Sequence, residues 1–529
     1  MTATVEASQH SQDESVPRAR WLWGAGYAAA AAALFLCYLR VAGTQPVSSD
    51  GASNALQAWD MLHGNWLLKG WTLSDVSFYT TELPEYVLVE AFRGLGPADV
   101  HVSAALTYTL LVIGAGLLAK GSATGREGLV RVLIATGIMI APQVGPGTFL
   151  LLQSPDHTGT GVPLLLVFLL LDRAPRRWWV PALICLLLAW TEVGDRIAIT
   201  VGAAPIAVAC VVRAYRDIVQ RRERAREHWF EPAVAAAALV SAGVAAAAGT
   251  VLRELGGFAV APLNTTSAPS ADWPAHLALA AEGVLGLYGA DFTSLPLGAA
   301  TVIALVHLAG VALAAWAAGH AIRRFFCCDL VTQVLTVAIV VNLAVYALSV
   351  LPDSYWANRE IAPVLPFGAV LAGRVLAGRV IRARLLPALA VVGCCYLGAL
   401  GYGVTRPQQP AANQALADWL AGHHLTTGLG SYAEGNSVTL DSHGAILLAA
   451  PAWFPYGVFP GDHEAKAADF DPRLHDATFF VTTAQDGPAF TIPAARIIRA
   501  FGEPAHTYHY QGWTIMTWPT NLLTVIRRA

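Results

Sequence analysis

The feature that most constrains the fold of this chain is a series of apolar runs long enough to cross a membrane. A helix needs about 20 apolar residues to span the hydrocarbon core of a bilayer. The candidate spans are 21–42, 101–119, 132–152, 159–171, 178–190, 196–212, 231–252, 297–319, 329–351, 361–377 and 386–404. We therefore predict a polytopic α-helical membrane protein with about 11 transmembrane helices, embedded among membrane lipids.

The composition supports this class and excludes others. Charged residues make up 13% of the 529 residues, whereas soluble domains average about 25%. The chain therefore has too little polar surface to cover several water-soluble cores. Its net charge of −3 gives no reason to expect a nucleic-acid partner. The Ala- and Arg-rich, Lys-poor composition is typical of a GC-rich bacterial genome.

The placement of arginine predicts the orientation of the spans. With the N-terminus in the cytoplasm, the short inner segments carry most of the basic residues, and the outer loops carry few. By the positive-inside rule, this indicates a plasma-membrane protein with a cytoplasmic N-terminus, of which residues 1–20 are predicted to be disordered. Residues 21–404 form the transmembrane domain. An odd number of spans then places residues 405–529 outside the cell.

The C-terminal segment 405–529 is predicted to be a small extracytoplasmic α/β domain. Its apolar spacing indicates helices over 411–424 and 493–501. Strand-like patterns are found at 436–440, 445–449, 477–483, 506–510 and 512–518, the last two forming a hairpin.

The first outer loop, 43–100, mixes acidic and aromatic side chains. Among its acids are Asp75, Glu82 and Glu85, which are candidate substrate-binding residues. Carboxylates bind sugar hydroxyls and aromatic rings pack on sugar faces, so the mixture suits a sugar ligand. A pair of amphipathic helices lying in the membrane interface would explain the same pattern.

Asp50 is the strongest candidate for chemistry because it follows the first span closely. A carboxylate at this depth is costly unless it is solvated or paired. An acid that accepts the proton of a hydroxyl acts as a general base. The alternative role for Asp50 is a helix cap.

Three later outer turns also carry polar residues. His157 and Asp195 lie in the turns 153–160 and 191–196, beside Glu192 in the second turn. They either line the same cavity as Asp50 or serve local roles, such as a turn or an ion pair of Asp195 with its neighbour.

Arg359 precedes a late span, in the turn 352–360. A guanidinium there could hold a phosphate through paired hydrogen bonds, or it could pair with the neighbouring Glu360. The sequence contains no P-loop, HExxH or GxSxG motif. We therefore predict no metal and no cofactor.

Three stretches resemble the membrane-embedded GT-C glycosyltransferases, a group that includes protein O-mannosyltransferases and bacterial lipid A aminoarabinose transferases. The first is Asp50 with AWDMLHGNW at 58–66, and the second is NREIAPVLP at 358–366. The third combines GSYAEGNSVT at 430–439 with FGEP at 501–504.

The resemblance implies an inverting enzyme that moves a sugar from a polyprenyl-phosphate donor to a cell-envelope acceptor, which is a glycan, lipid or protein. It also implies that Asp50 is the catalytic acid of the first loop and that Arg359 contacts the donor phosphate. Two other functions remain open. A lipid or sugar transporter or flippase would show inverted repeats and broken helices, and a non-catalytic scaffold would use the C-terminal domain for binding.

Overall fold

The computed structural model describes residues 24–220, 229–261, 266–483 and 492–527. The predicted disordered segment 1–20 lies outside these ranges. The helices, numbered in chain order, are α1 Gly24–Ala42, α2 Ser49–Leu62, α3 Leu83–Arg93, α4 Ala98–Lys120, α5 Gly125–Met139, α6 Pro146–Leu151, α7 Gly161–Arg173, α8 Trp179–Gly194, α9 Ile199–Ile218, α10 Phe230–Glu254, α11 Trp273–Leu287, α12 Ala299–Arg323, α13 Leu330–Leu348, α14 Val364–Arg382, α15 Leu386–Val404, α16 Gln414–Gly422, α17 Tyr432–Asp441 and α18 Ala494–Phe501. The strands are β1 Trp71–Leu73, β2 Ala259–Val260, β3 Thr427–Gly430, β4 Leu447–Ala449, β5 Ala452–Phe454, β6 Gly457–Phe459, β7 Ala465–Lys466, β8 Phe479–Thr483, β9 His506–Tyr510 and β10 Trp513–Thr517.

The described residues include eight helices that are long and apolar enough to cross a membrane, namely α1, α4, α9, α10, α12, α13, α14 and α15. Three further predicted spans overlap the shorter helices α5, α7 and α8. Helices suit a bilayer because they satisfy every backbone hydrogen bond internally. The chain is thus a multi-pass α-helical membrane protein, as predicted. The number of eleven crossings stays a prediction.

The predicted continuous span 132–152 is wrong, because the helix breaks within it. Helix α5 begins earlier and ends at Met139, and α6 starts only at Pro146. Prolines at 142 and 146 cannot donate a helical hydrogen bond. Within the break, the Gln143 side chain binds another part of the chain, donating to the backbone oxygen of Asp291 at 2.6 Å and accepting from its N–H at 3.1 Å.

The loop 43–100 folds into two helices that pack on each other. The hydroxyl of Ser48 accepts a hydrogen bond from the N–H of Gly51 and caps α2. Small residues, among them Ala52 and Ala55, form the buried face of α2. This face lets α3, α4 and α17 approach closely, so the start of α2 is held between the membrane helices and the C-terminal segment.

The C-terminal segment contains a five-stranded sheet with the order β4-β3-β8-β10-β9. Strand β3 is parallel to β4 and β8, whereas β10 is antiparallel to β8 and β9. Along β8, Phe479 and Val481 face one apolar core and Phe480 faces the other, as the two-residue period of a strand requires. The predicted hairpin 506–518 and the helix near 493–501 are present.

The strand predicted at 436–440 is wrong, because these residues belong to α17. Ser431 precedes the helix in an extended conformation, and its hydroxyl hydrogen-bonds the carboxyl group of Glu434. The β-branched residues Val438 and Thr439 favour a strand by propensity alone. Tertiary packing of α17 on α2 overrides that preference.

A small sheet with the order β2-β1-β7 joins three distant parts of the chain. Strand β1 comes from the loop 43–100, β2 follows α10, and β7 comes from the C-terminal segment. Thr72 of β1 pairs with Ala259 on one side and with Ala465 on the other. The sheet therefore fixes the C-terminal segment against the membrane helices beside the start of α2.

Candidate active site

A cavity of about 220 Å³ lies where the start of α2, the segment after β1, two helix-connecting turns and the C-terminal segment meet. We call it the site cavity. It is lined by Asp50, Ser74, Asp75, Val76, Phe78, Asp156, His157, Trp356, Ala357, Arg359, Glu360, His463 and Glu464. The structure thus brings together four of the residues singled out from the sequence, namely Asp50, Asp75, His157 and Arg359.

Asp50 and Arg359 face each other in this cavity. Their closest atoms, Asp50 Oδ2 and Arg359 Nη1, lie 3.8 Å apart. The Asp50 side chain is 35% exposed, so it is open to solvent and to a ligand. A ligand that enters the cavity would meet an acid and a cation at once.

Arg359 is held rigidly by its surroundings. It is 4% exposed, and its Nη2 donates to Gln153 Oε1 at 2.5 Å and to the backbone oxygen of Phe149 at 3.2 Å. Its Nη1 donates to Asp156 Oδ2 at 3.3 Å. The guanidinium also lies 4.4 Å from the ring centroid of Trp356, a cation–π contact.

Asp156 is the buried counter-ion of Arg359. It also accepts hydrogen bonds from Asn54 at 3.1 Å and Ser154 at 2.5 Å. Burial raises the pKa of this carboxyl group, and the charge of Arg359 opposes that rise. This ion pair holds the Arg359 guanidinium at a defined position that is shielded from bulk water.

His157 sits between two carboxylates. Its Nδ1 lies 2.9 Å from Asp195 Oδ2, and its Nε2 lies 3.4 Å from Glu360 Oε1. Burial lowers the pKa of the imidazole, but the charges of Glu360 and Asp195 outweigh it and raise the pKa well above the ordinary value. Since both ring nitrogens lie near carboxylates, this setting favours the doubly protonated form of the ring, which makes His157 the second cationic side chain of the site cavity.

The remaining predicted site residues lie outside the lining of this cavity. Asp195 lies behind His157 and also accepts from Thr160 at 2.6 Å. Glu82 is buried without a hydrogen-bond partner among the described residues, and burial together with the charge of Asp195 raises its pKa.

Glu85 accepts a hydrogen bond from Thr107, and burial raises its pKa to about 7. Glu192 accepts from Ser241 at 2.8 Å and lines a second cavity of about 440 Å³. Asp75 borders both cavities. Glu85 and Glu192 therefore lie outside the lining of the site cavity, whereas Asp75 belongs to it.

The C-terminal segment supplies functional residues that the sequence did not reveal. His463 and Glu464 line the site cavity, and the hydroxyl of Tyr432 donates to Asp50 Oδ1 at 2.5 Å. Tyr432 falls within the quoted stretch 430–439, but no spacing rule links it to a residue 382 positions earlier. Only the docking of α17 on α2 makes this contact.

The charge of the site cavity is dominated by acids. Two cationic side chains, Arg359 and His157, face a larger set of carboxyl groups, namely Asp50, Asp75, Asp156, Glu360 and Glu464. Within the described ranges, no group of three or more His, Cys, Asp or Glu side chains is arranged to hold a metal ion. The cavity instead offers a hydrogen-bond acceptor beside a fixed positive charge.

These features define a polytopic membrane protein whose C-terminal α/β segment closes an acid-lined cavity. No protein-family model and no curated protein sequence matches the chain. Solved structures do resemble it. The crystal structure of ArnT from Cupriavidus metallidurans in the apo state has a TM-score of 0.56 at 11% identity, covering 96% of this chain and 99% of that chain.

The structure of the same ArnT bound to undecaprenyl phosphate gives a TM-score of 0.55 at 13% identity, with coverages of 96% and 99%. The arabinofuranosyltransferase AftD from Mycobacteria has a TM-score of 0.33 at 18% identity, covering 78% of this chain and 30% of that chain. This TM-score is too low to support a conclusion about the fold. The ArnT likeness shows the fold. This chain has an ArnT-like fold, in agreement with the fold that the resemblance implied.

Proposed function

We propose that this protein is an inverting glycosyltransferase that moves a sugar from a polyprenyl-phosphate donor to an acceptor hydroxyl. The observation that carries the proposal is the 3.8 Å approach of Asp50 to Arg359 in one cavity. Transfer from a phosphate-linked donor needs a base for the incoming hydroxyl and positive charge for the departing phosphate. Asp50 and Arg359 provide one of each.

The proposed reaction is a single displacement. The acceptor oxygen attacks the anomeric carbon, its proton passes to Asp50, and the bond between that carbon and the phosphate oxygen breaks. The electron pair of that bond leaves with the polyprenyl phosphate. Since the new bond forms opposite the one that breaks, the configuration at the anomeric carbon inverts.

Arg359 is suited to the leaving group because its position is fixed before the ligand arrives. The contacts to Gln153, Phe149 and Trp356 hold the guanidinium in place. Preorganised donors stabilise developing charge without the cost of reorientation. His157, the second cation, faces the same cavity, and we assign it a share of the same task.

The fold and the site cavity also support a donor for the reaction and a place where it occurs. An ArnT structure of the same fold holds undecaprenyl phosphate, which supports a polyprenyl-phosphate carrier for this chain. We place the reaction at the outer face of a bacterial plasma membrane, with a cell-envelope glycan, lipid or protein as acceptor. The acid-lined cavity beside Asp50 argues against a purely structural scaffold. A helix does break between α5 and α6, a feature that transporters also show, but the approach of Asp50 to Arg359 in the site cavity favours transfer chemistry.

The test replaces Asp50 with Asn, which keeps the shape of the side chain and removes its basicity. Membranes that contain the variant would be assayed for sugar transfer from labelled short-chain polyprenyl-phosphate sugars. We expect transfer to fall by at least about 100-fold, because general-base catalysis contributes about 10²–10⁴-fold. The matched control is Asp418→Asn, an exposed residue on α16. Full transfer by a folded Asp50→Asn protein would remove the mechanism.

A further inference from the structure

The hydroxyl of Tyr432 lies between two carboxyl groups and has one proton for both. Its oxygen is 2.5 Å from Asp50 Oδ1 and 2.5 Å from Glu464 Oε2. A phenol donates one hydrogen bond, so a second short contact requires a group that donates to it. Two ionised carboxylates cannot both be satisfied, and one of the two acids must therefore carry a proton.

The surroundings place that proton on Glu464. Glu464 is 4% exposed, and no described lysine or arginine forms an ion pair with it. Burial, followed by the nearby charge of Asp50, raises the pKa of Glu464 well above its ordinary range. Asp50 is 35% exposed and lies 3.8 Å from Arg359. Hydrogen bonds therefore run from Glu464 to Tyr432 and from Tyr432 to Asp50.

This chain of hydrogen bonds is anchored at both ends. The hydroxyl of Ser49, next to Asp50, donates to the backbone oxygen of Tyr432 at 2.6 Å. The side chain of Asn436 on α17 donates to the backbone oxygen of Glu464 at 3.1 Å. The first contact ties α2 to the C-terminal segment, and the second ties α17 to the residue before β7 within that segment. The alignment of the three side chains is thus a property of the docked segment.

We propose that Tyr432 and protonated Glu464 form a clamp from the C-terminal segment that orients Asp50 as the base. The clamp rests on the proposed function, in which Asp50 is the base. Tyr432 and Glu464 are positioning residues, since they act through Asp50. Their own protonation does not change: the acceptor proton moves to Asp50, which returns it to solvent from its exposed edge.

The clamp predicts a specific kinetic effect. Loss of the Tyr432 hydrogen bond leaves Asp50 free to turn away from the acceptor hydroxyl, so kcat falls while KM for the donor stays near the wild-type value. The charged and titratable groups that face Asp50 are Arg359 and Glu360 from the turn before α14, Asp156 and His157 from the turn before α7, Asp75 after β1, and Tyr432, His463 and Glu464 from the C-terminal segment. Wild type and each variant share all of these groups except the one replaced. The difference between their rates of sugar transfer therefore reports on the clamp alone.

The experiment measures kcat and KM of sugar transfer for Tyr432→Phe, Glu464→Gln and Glu464→Leu. We expect Tyr432→Phe to lower kcat about tenfold with little change in KM, because the loss of one hydrogen bond to a charged group corresponds to about this factor. Glu464→Leu should show the same loss as Tyr432→Phe. Glu464→Gln should retain most of the activity that Glu464→Leu loses, since its amide still donates to Tyr432. Tyr456→Phe, in the exposed turn between β5 and β6, is the matched control.

Two results would overturn the clamp. One is a wild-type kcat in Tyr432→Phe. The other is a Glu464→Gln protein as inactive as Asp50→Asn, which would show that Glu464 acts as an ionised proton acceptor.

A second readout does not depend on activity. Infrared difference spectra of substrate-free protein at pH 7 should lose the carbonyl stretch of a protonated carboxylic acid in Glu464→Gln, and an unchanged band would refute the assignment. Full transfer by Asp50→Asn would refute the proposed function while this spectrum still tests the clamp. Loss of transfer in Asp50→Asn together with wild-type transfer kinetics in Tyr432→Phe would refute the clamp but leave the proposed function standing.

Discussion

Replacement of Arg359 with methionine separates its structural role from its proposed role in phosphate binding. Methionine keeps the length and apolar contacts of the side chain but removes the charge and the hydrogen bonds. It leaves Asp156 as a buried acid without its cation. We expect two losses, one in stability and one in affinity for undecaprenyl phosphate, with different responses to a second mutation.

The loss of stability can be estimated from the contacts. Breaking a buried ion pair by removal of one partner costs about 3–5 kcal/mol. Asp156 keeps its hydrogen bonds from Asn54 and Ser154, and it can take up a proton. We therefore expect Arg359→Met to reduce the free energy of unfolding by about 2–3 kcal/mol. In the double variant Arg359→Met/Asp156→Asn, most of this loss should be recovered.

The loss of affinity should not be recovered. Hydrogen bonds to charged groups contribute about 1.5–3 kcal/mol, which corresponds to a 10- to 100-fold weaker binding of undecaprenyl phosphate. The measurement is binding by purified protein in nanodiscs, beside unfolding in denaturant. Arg473→Met, at an exposed arginine of the C-terminal segment, is the control. Wild-type affinity in Arg359→Met, or affinity restored by Asp156→Asn, would refute the role of Arg359.

Two further predictions concern parts of the structure around the site cavity. Burial, followed by the charge of Asp99, raises the pKa of Glu90 on α3 to about 9. In the unfolded protein the pKa of a glutamate is about 4.3. Between pH of about 4.3 and 9 the folded protein therefore holds a proton that the unfolded protein has released, and its stability falls as the pH rises. Glu90→Gln should flatten the dependence of the melting temperature on pH over this range, and an unchanged slope would contradict the assignment. Lys466→Met removes the 2.8 Å contact to Asp60 that joins β7 to the loop 43–100. It should cost less than about 1 kcal/mol but speed proteolysis at residues 406–410, which lie between α15 and α16. A cleavage rate equal to that of wild type would show that this pair does not hold the C-terminal segment.

The C-terminal segment completes the site cavity as well as covering it. Three of its residues, Tyr432, His463 and Glu464, contact Asp50 or line the cavity. Strand β7 lies immediately after two of them and is hydrogen-bonded to β1. Any movement of this segment would therefore change the surroundings of Asp50.

The sequence was sufficient for features that depend on local composition. Apolar runs gave the membrane class and the approximate bounds of most helices, because burial in lipid requires about 20 consecutive apolar residues. Costly charges beside these runs identified Asp50, His157 and Arg359, all of which the structure places in one cavity. The same reasoning misjudged 132–152 and 436–440, where prolines and tertiary packing decided the backbone.

Only the tertiary structure decided which partners these side chains have. Arg359 meets Asp156 across 203 positions, and Tyr432 meets Asp50 across 382. Contacts at such separations depend on how helices and sheets dock, and no local pattern records that docking. The sequence thus determined that a charged site lies beside the membrane spans, whereas the packing of α17 and β7 on the loop 43–100 determined which acid faces the cation.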